Sequence, residues 1–91
     1  MITTIVSHEV KNFSDWKKVF DESKELRIKS SINVTALFQS VDNPNMVTMI
    51  GEAPSVEAIN EFNSNPELIA AMERGGLIGN PEIKVLKEVA L

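Results

Sequence analysis

Apolar and polar positions change period several times along the chain, and the changes mark its elements. From Ile2 to Val10 the pattern alternates: Ile2, Val6, His8 and Val10 fall on one side, Ile5 and Ser7 on the other. β-Branched residues dominate the stretch, which predicts a strand. The period then shifts at Lys11-Asn12-Phe13-Ser14-Asp15. Asn12 or Ser14 can cap a helix there, with Asp15 placed in its first turn. Trp16, Val19, Phe20 and Ser23 follow at helical spacing, and Leu26 and Ile28 extend the helix toward Ser30. A second strand is predicted over Asn33–Val41 and a third over Met46–Glu52, joined by the turn-forming Asp42-Asn43-Pro44-Asn45. Gly51, near the end of the third strand, marks a bulge.

Ser55 is the predicted N-cap of a second helical segment with Val56, Ile59 and Phe62 as its buried stripe. Asn63-Ser64-Asn65 interrupts it, and Pro66 restarts a helix whose apolar face is Leu68, Ile69 and Met72. Gly75-Gly76 stops that helix by offering left-handed conformations. The run from Gly75 to Pro81 reads as a stop and a turn, and the last strand spans Ile83–Val89. The order β-α-β-β-α-β, with right-handed crossovers, places both helical segments on one face of a four-stranded antiparallel sheet. The expected fold is therefore α+β and ferredoxin-like.

Such a sheet has a second face that its own helices leave bare. A free antiparallel face should show Lys, Glu and Thr outward in clean alternation, and only the last strand does so. The chain has 91 residues, enough for one domain over 1–91 but with a small core of its own. A second copy closing the open face, sheet on sheet, would supply the missing burial. A homodimer is the expected assembly.

Composition narrows the chemistry. There is no cysteine, which removes disulfides, thiolate metal sites and cysteine nucleophiles, and favours a cytoplasmic location. His8 is the only histidine, so no multi-histidine metal site is expected. Nine basic against 13 acidic residues give a net charge of −4, and Lys17-Lys18 and Arg27 to Lys29 read as solvated helix faces. Nucleic acid is not an expected partner. Neither is a membrane, since the amino terminus lacks signal-peptide features and no apolar run approaches the ~18 residues needed to span a bilayer.

His8 has the one side chain that titrates near neutrality, so it is the candidate general acid or base. Trp16 can stack on a flat ligand or anchor its helix on the sheet. Phe38 and Met49 can line a ligand pocket or belong to the core or the dimer interface. Gln39, Ser7 and Thr48 can hydrogen-bond a ligand or a partner subunit. Glu52 can act as a buried base or pair with a surface lysine.

One resemblance adds to these readings. The runs His8-x-Val10-x-Asn12-Phe13-x-x-Trp16-Lys17-x-x-Phe20-Asp21 and Asp42-x-Pro44-x-x-Val47-Thr48 resemble an uncharacterised branch of the dimeric α/β-barrel superfamily. So do Phe62-x-x-x-Pro66-Glu67-Leu68-x-x-Ala71-Met72 and Pro81-Glu82-Ile83-x-x-Leu86. Antibiotic-biosynthesis-type monooxygenases, muconolactone isomerases and polyketide cyclase-like proteins share that superfamily. The resemblance implies a small hydrophobic pocket between sheet and helices, for apolar or aromatic compounds, with no metal or organic cofactor. It leaves open an enzyme (monooxygenase, isomerase or cyclase), a ligand-binding or assembly module without chemistry, and a sensor-like subunit of a larger partner.

Overall fold

The computed structural model describes residues 1–91. Its elements run β1 (Ile2–Val10), α1 (Phe13–Glu22), α2 (Lys24–Lys29), β2 (Asn33–Gln39), β3 (Met46–Ala53), α3 (Val56–Asn63), α4 (Pro66–Arg74) and β4 (Leu77–Lys87). The strands form one antiparallel sheet in the order β2-β3-β1-β4, which is the expected ferredoxin-like arrangement. No helix is long and apolar enough to cross a membrane.

Side-chain caps set most helix starts. Asn12 accepts from the Asp15 amide, Ser55 from the Ala58 amide, and Asn65 from the Glu67 amide with Pro66 in the first turn. The first crossover departs from the continuous helix expected, because Ser23 breaks it into α1 and α2. Its hydroxyl donates to the Val19 carbonyl at 2.8 Å while its amide is shared between the Val19 and Phe20 carbonyls. That local competition interrupts the helical ladder. At the far end of α2, Ser31 adopts φ +60°. The Ser31 amide then reaches Ile28 and the Ile32 amide reaches Arg27, two bonds that close the helix in a Schellman motif.

Strand limits differ from expectation at four ends: β3 runs one residue further, to Ala53, β4 stops at Lys87 rather than Val89, and two larger differences remain. β2 stops at Gln39 rather than Val41, where Ser40 donates its amide to Met46 and Val41 is fully exposed. β4 begins at Leu77, so the glycine-containing segment read as a turn is strand. It pairs Leu77 with Val10 and Ile78 with Glu9, bulges over Gly79 to Pro81, and resumes with Glu82 opposite Ser7. Gly79 takes φ +68° in that bulge, and the missing Pro81 amide costs nothing on an edge strand. Gly51 does sit at an irregularity, but the extra residue is Thr35 in β2, whose hydroxyl donates to the Ile50 carbonyl.

Two small apolar clusters hold the helices to the sheet. Val10, Trp16 and Val47 form one; Ile32, Ala53 and Ile59 form the other. Val56 and Ile69, expected in buried stripes, are exposed, and Ala71 is the buried residue of α4. Gly75 is needed where α4 ends: a Cβ there would lie 3.0 Å from Trp16 Cδ1. Gly76 supplies the left-handed turn at φ +77°.

Candidate functional site

Register decides which side chains share a face. Residues paired directly across strands point the same way, so Thr4, Val6 and His8 of β1 join Met49 and Gly51 of β3 and Ile83 of β4 beneath the helices. The apolar clusters do not fill the space above them. A cavity of about 200 Å³ remains between this face and the helices, walled mainly by apolar side chains.

His8 lies in that wall. It is 5% exposed, and neither Nδ1 nor Nε2 has a hydrogen-bond partner. Burial pushes its pKa below the ordinary 6.5, so the imidazole is neutral at pH 7. Its ring meets Trp16 edge to face, with centroids 5.4 Å apart. On one side β3 sets Val47 opposite it; on the other, the 79–81 bulge carries β4 around it. A second orphan is the Thr4 hydroxyl, also buried and unpartnered. Strand geometry places the Thr4 and His8 backbones about 13 Å apart. Buried polar atoms without partners are rare and call for an explanation. Both here open onto one cavity.

A row of flat groups forms the helix-side wall. Trp16 stacks on Phe20 at 5.1 Å between centroids, and the Arg27 guanidinium lies 3.9 Å from the centre of the Phe20 ring. Arg27 also donates from Nη1 to the Phe20 carbonyl at 2.6 Å. This corrects the reading of Arg27 as part of a solvated face: it is half-buried and lines the cavity. Burial pulls its pKa down, with the Asp21 charge acting the other way.

The candidate residues therefore divide. His8, Trp16 and Met49 come together around the cavity. Phe38 does not: it pairs with Thr48 on the opposite face and is 52% exposed. Ser7 and Thr48 occupy that open face too, and their hydroxyls bond each other at 2.9 Å. Gln39 donates to the Pro44 carbonyl and braces the β2–β3 loop. Glu52 sits opposite Thr3 on the open face, away from the cavity. Thr4 and Arg27 were missed as site residues. Thr4 had a faint signal, lying four residues before His8 on the same side of one strand.

No group of three or more histidine, aspartate or glutamate side chains is gathered in a way that could hold a metal ion.

Residues 1–80 match the family model described as Domain of unknown function (DUF3764). No curated protein matches the chain. Among solved structures, one similar fold is a Bordetella bronchiseptica protein provisionally named an antibiotic biosynthesis monooxygenase. It has a TM-score of 0.81 and 17% identity over 98% of this chain and 97% of that one. Another is a variant of SnoaB, a cofactor-independent oxygenase from Streptomyces nogalater, with a TM-score of 0.75 and 13% identity over 99% and 94% of the two chains. A protein from Agrobacterium tumefaciens reaches 22% identity at a TM-score of 0.71, covering 98% of this chain and 94% of that one. At these identities the likeness is one of fold. The chain belongs to the DUF3764 family.

Proposed function

We propose that this DUF3764 member is a homodimeric enzyme acting on a small flat substrate, with His8 as general base and no bound cofactor. The observation that carries the reading is His8 itself, a neutral imidazole with two unpartnered nitrogens on the wall of an apolar cavity. Trp16 and Met49 flank the bound compound, and the Thr4 hydroxyl provides a second polar anchor. A volume near 200 Å³ suits one ring or two fused rings, since a cavity of about 150 Å³ already accommodates benzene.

The chemistry begins with proton removal. His8 accepts a proton from an activated CH₂ or OH, leaving an electron-rich anion held against Trp16. If the proton returns at another carbon, the reaction is an isomerisation. If the anion gives its electrons to O₂, a CH₂ becomes a carbonyl: one oxygen atom stays in the product and the other leaves as water with both hydrogens. SnoaB is described as a cofactor-independent oxygenase, which favours the second course.

The homodimer rests on the sheet's open face. Ile5, Ile50, Phe38 and Leu86 share it with the Ser7–Thr48 pair, and Phe38 and Leu86 are exposed in the isolated chain. A second copy packed there would cover them. A ligand-binding protein without chemistry is the second reading, favoured by a wall that is hydrocarbon apart from a few polar groups.

The test uses 2-tetralone, a bicyclic ketone with an activated CH₂, in D₂O. The protein should accelerate deuterium exchange at that carbon, and His8→Gln should reduce the acceleration by about 10²-fold or more. Oxygen uptake separates oxygenase from isomerase. Saturable binding without exchange would move the assignment to the ligand-binding reading.

A further inference from the structure

The row of flat groups has a proton acceptor at one end and a cation at the other. His8 meets Trp16, Trp16 stacks on Phe20, and Phe20 carries the Arg27 guanidinium on its face. Arg27 stands where the cavity meets an outer groove between α2 and β2, since it lines both.

The guanidinium is unusually placed for a structural arginine. A guanidinium has five N–H donors and keeps its charge at any physiological pH. Here one protein acceptor is engaged, the Phe20 carbonyl. No carboxylate lies within ion-pair distance, the two ion pairs of the chain being Lys17–Asp21 and Lys84–Glu82. Its neighbours along the cavity and groove are chiefly apolar, including Phe20, Ile32 and Val34. A half-buried cation with unspent donors, offset only by the charge of Asp21 beyond ion-pair distance and already paired with Lys17, is incompletely compensated. An anion entering the cavity would supply the compensation, through charge-assisted and bidentate hydrogen bonds. The position is also built, not incidental. The Schellman closure ties the Arg27 carbonyl to the Ile32 amide at 2.9 Å, and cation–π contact holds the side chain on Phe20.

We infer that Arg27 is an anion-recognition residue and that the cavity takes a flat organic acid, its carboxylate or ionised hydroxyl at Arg27 and its ring along Phe20 and Trp16 toward His8. The inference rests on the proposed use of this cavity as the substrate site, and it names the substrate class. In a chain of net charge −4, selection of an anion must come from such a local cation.

Calorimetric titration with 2-naphthoate and with 2-naphthamide, two probes of nearly one shape and different charge, tests it. Wild-type protein should bind the carboxylate about tenfold or more tightly than the amide, the worth of a charge-assisted hydrogen bond. Arg27→Met, which keeps an apolar stem of similar length, should bring the two affinities together. Arg27→Lys should retain part of the difference, so the charge requirement is readable even if the methionine variant fails to fold. Equal wild-type affinities, no wild-type binding of 2-naphthoate, or an undiminished preference in Arg27→Met would each overturn the assignment. Ser7→Ala, on the open face outside the cavity, should leave the preference for the acid intact. Failure of His8 as a base appears in the exchange assay alone, and failure of Arg27 appears in the titrations alone.

Discussion

Both faces of the sheet carry apolar side chains, more of them under the helices, and the two differ in what closes them. On the helix side, α1 to α4 lie over Thr4, His8, Met49 and Ile83, yet they leave a cavity with orphaned polar atoms. On the open side no element of the chain lies over Ile5, Ile50 and Phe38, yet two central hydroxyls, those of Ser7 and Thr48, bond each other. Unmet hydrogen bonds under a roof point to a small molecule. Met hydrogen bonds on a bare apolar surface point to a second protein surface. Residue type alone does not separate these cases; the combination of cover and polar satisfaction does.

The largest expected effect comes from breaking the roofed side. Trp16 is 5% exposed and touches His8, Phe13 and Phe20. Trp16→Ala removes the wall and most of one core cluster, and should cost about 3–5 kcal/mol. Urea unfolding at fixed protein concentration measures it. A loss under about 1 kcal/mol would mean that Trp16 serves the cavity and contributes little to the core.

The bare side should respond in assembly and leave the fold intact. Ile50 is half-buried on the open face, central in β3 and directly opposite Ile5. Ile50→Lys places a charge where a second copy would pack, at a site where an isolated subunit leaves the ammonium in water. Sedimentation equilibrium should give about twice the chain mass for wild type and one chain mass for the variant, with unchanged circular dichroism. A monomeric wild type would remove the homodimer and leave the open face without an assigned partner.

The parts legible in the sequence were those set by local chemistry. β1 is bounded as its alternation predicts, and Asn12, Ser55 and Asn65 cap the helices as their side chains allow. Three features depended on long-range pairing and could not be read locally. Thr35 is an extra residue only relative to β3, and its bulge puts Val34 and Ala36 on opposite faces although they are two residues apart. Phe38 follows Ala36 onto the open side, away from the cavity, so of the roles its residue type allows, lining that cavity is the one its position removes. β4 starts at Leu77 because Val10 and Glu9 offer partners there, although the local residues favour a turn. Arg27 looked solvated because Lys29 and Glu25 surround it in sequence, although its i,i+7 spacing puts it on the Trp16–Phe20 stripe, and its side chain lies on the Phe20 ring. Of the cavity wall, His8, Trp16 and Met49 are singled out by the sequence, whereas Arg27 is not, although it continues the stripe of Trp16, Phe20 and Ser23.

The smallest effect sharpens the contrast from the side of protonation. An unfolded chain exposes His8 to water, where its pKa is close to 6.5, whereas the folded cavity holds it lower through desolvation. Between those two values the unfolded state binds more protons than the folded one, so the contribution to stability is complete above 6.5 and is lost as pH falls from there toward the folded value. His8→Gln removes the titration while keeping a polar side chain of similar reach. Thermal midpoints of wild type should therefore drop more steeply on acidification through this window than those of the variant, by a small but measurable margin that adds to the common effect of the carboxylates. Ser7, the neighbour of His8 on the bare face, carries no such proton, and Ser7→Ala should leave the pH slope at its wild-type value. If His8→Gln also leaves it unchanged, the imidazole is as well solvated folded as unfolded, and the cavity would have to be open to water along its β4 side, where the 79–81 bulge passes.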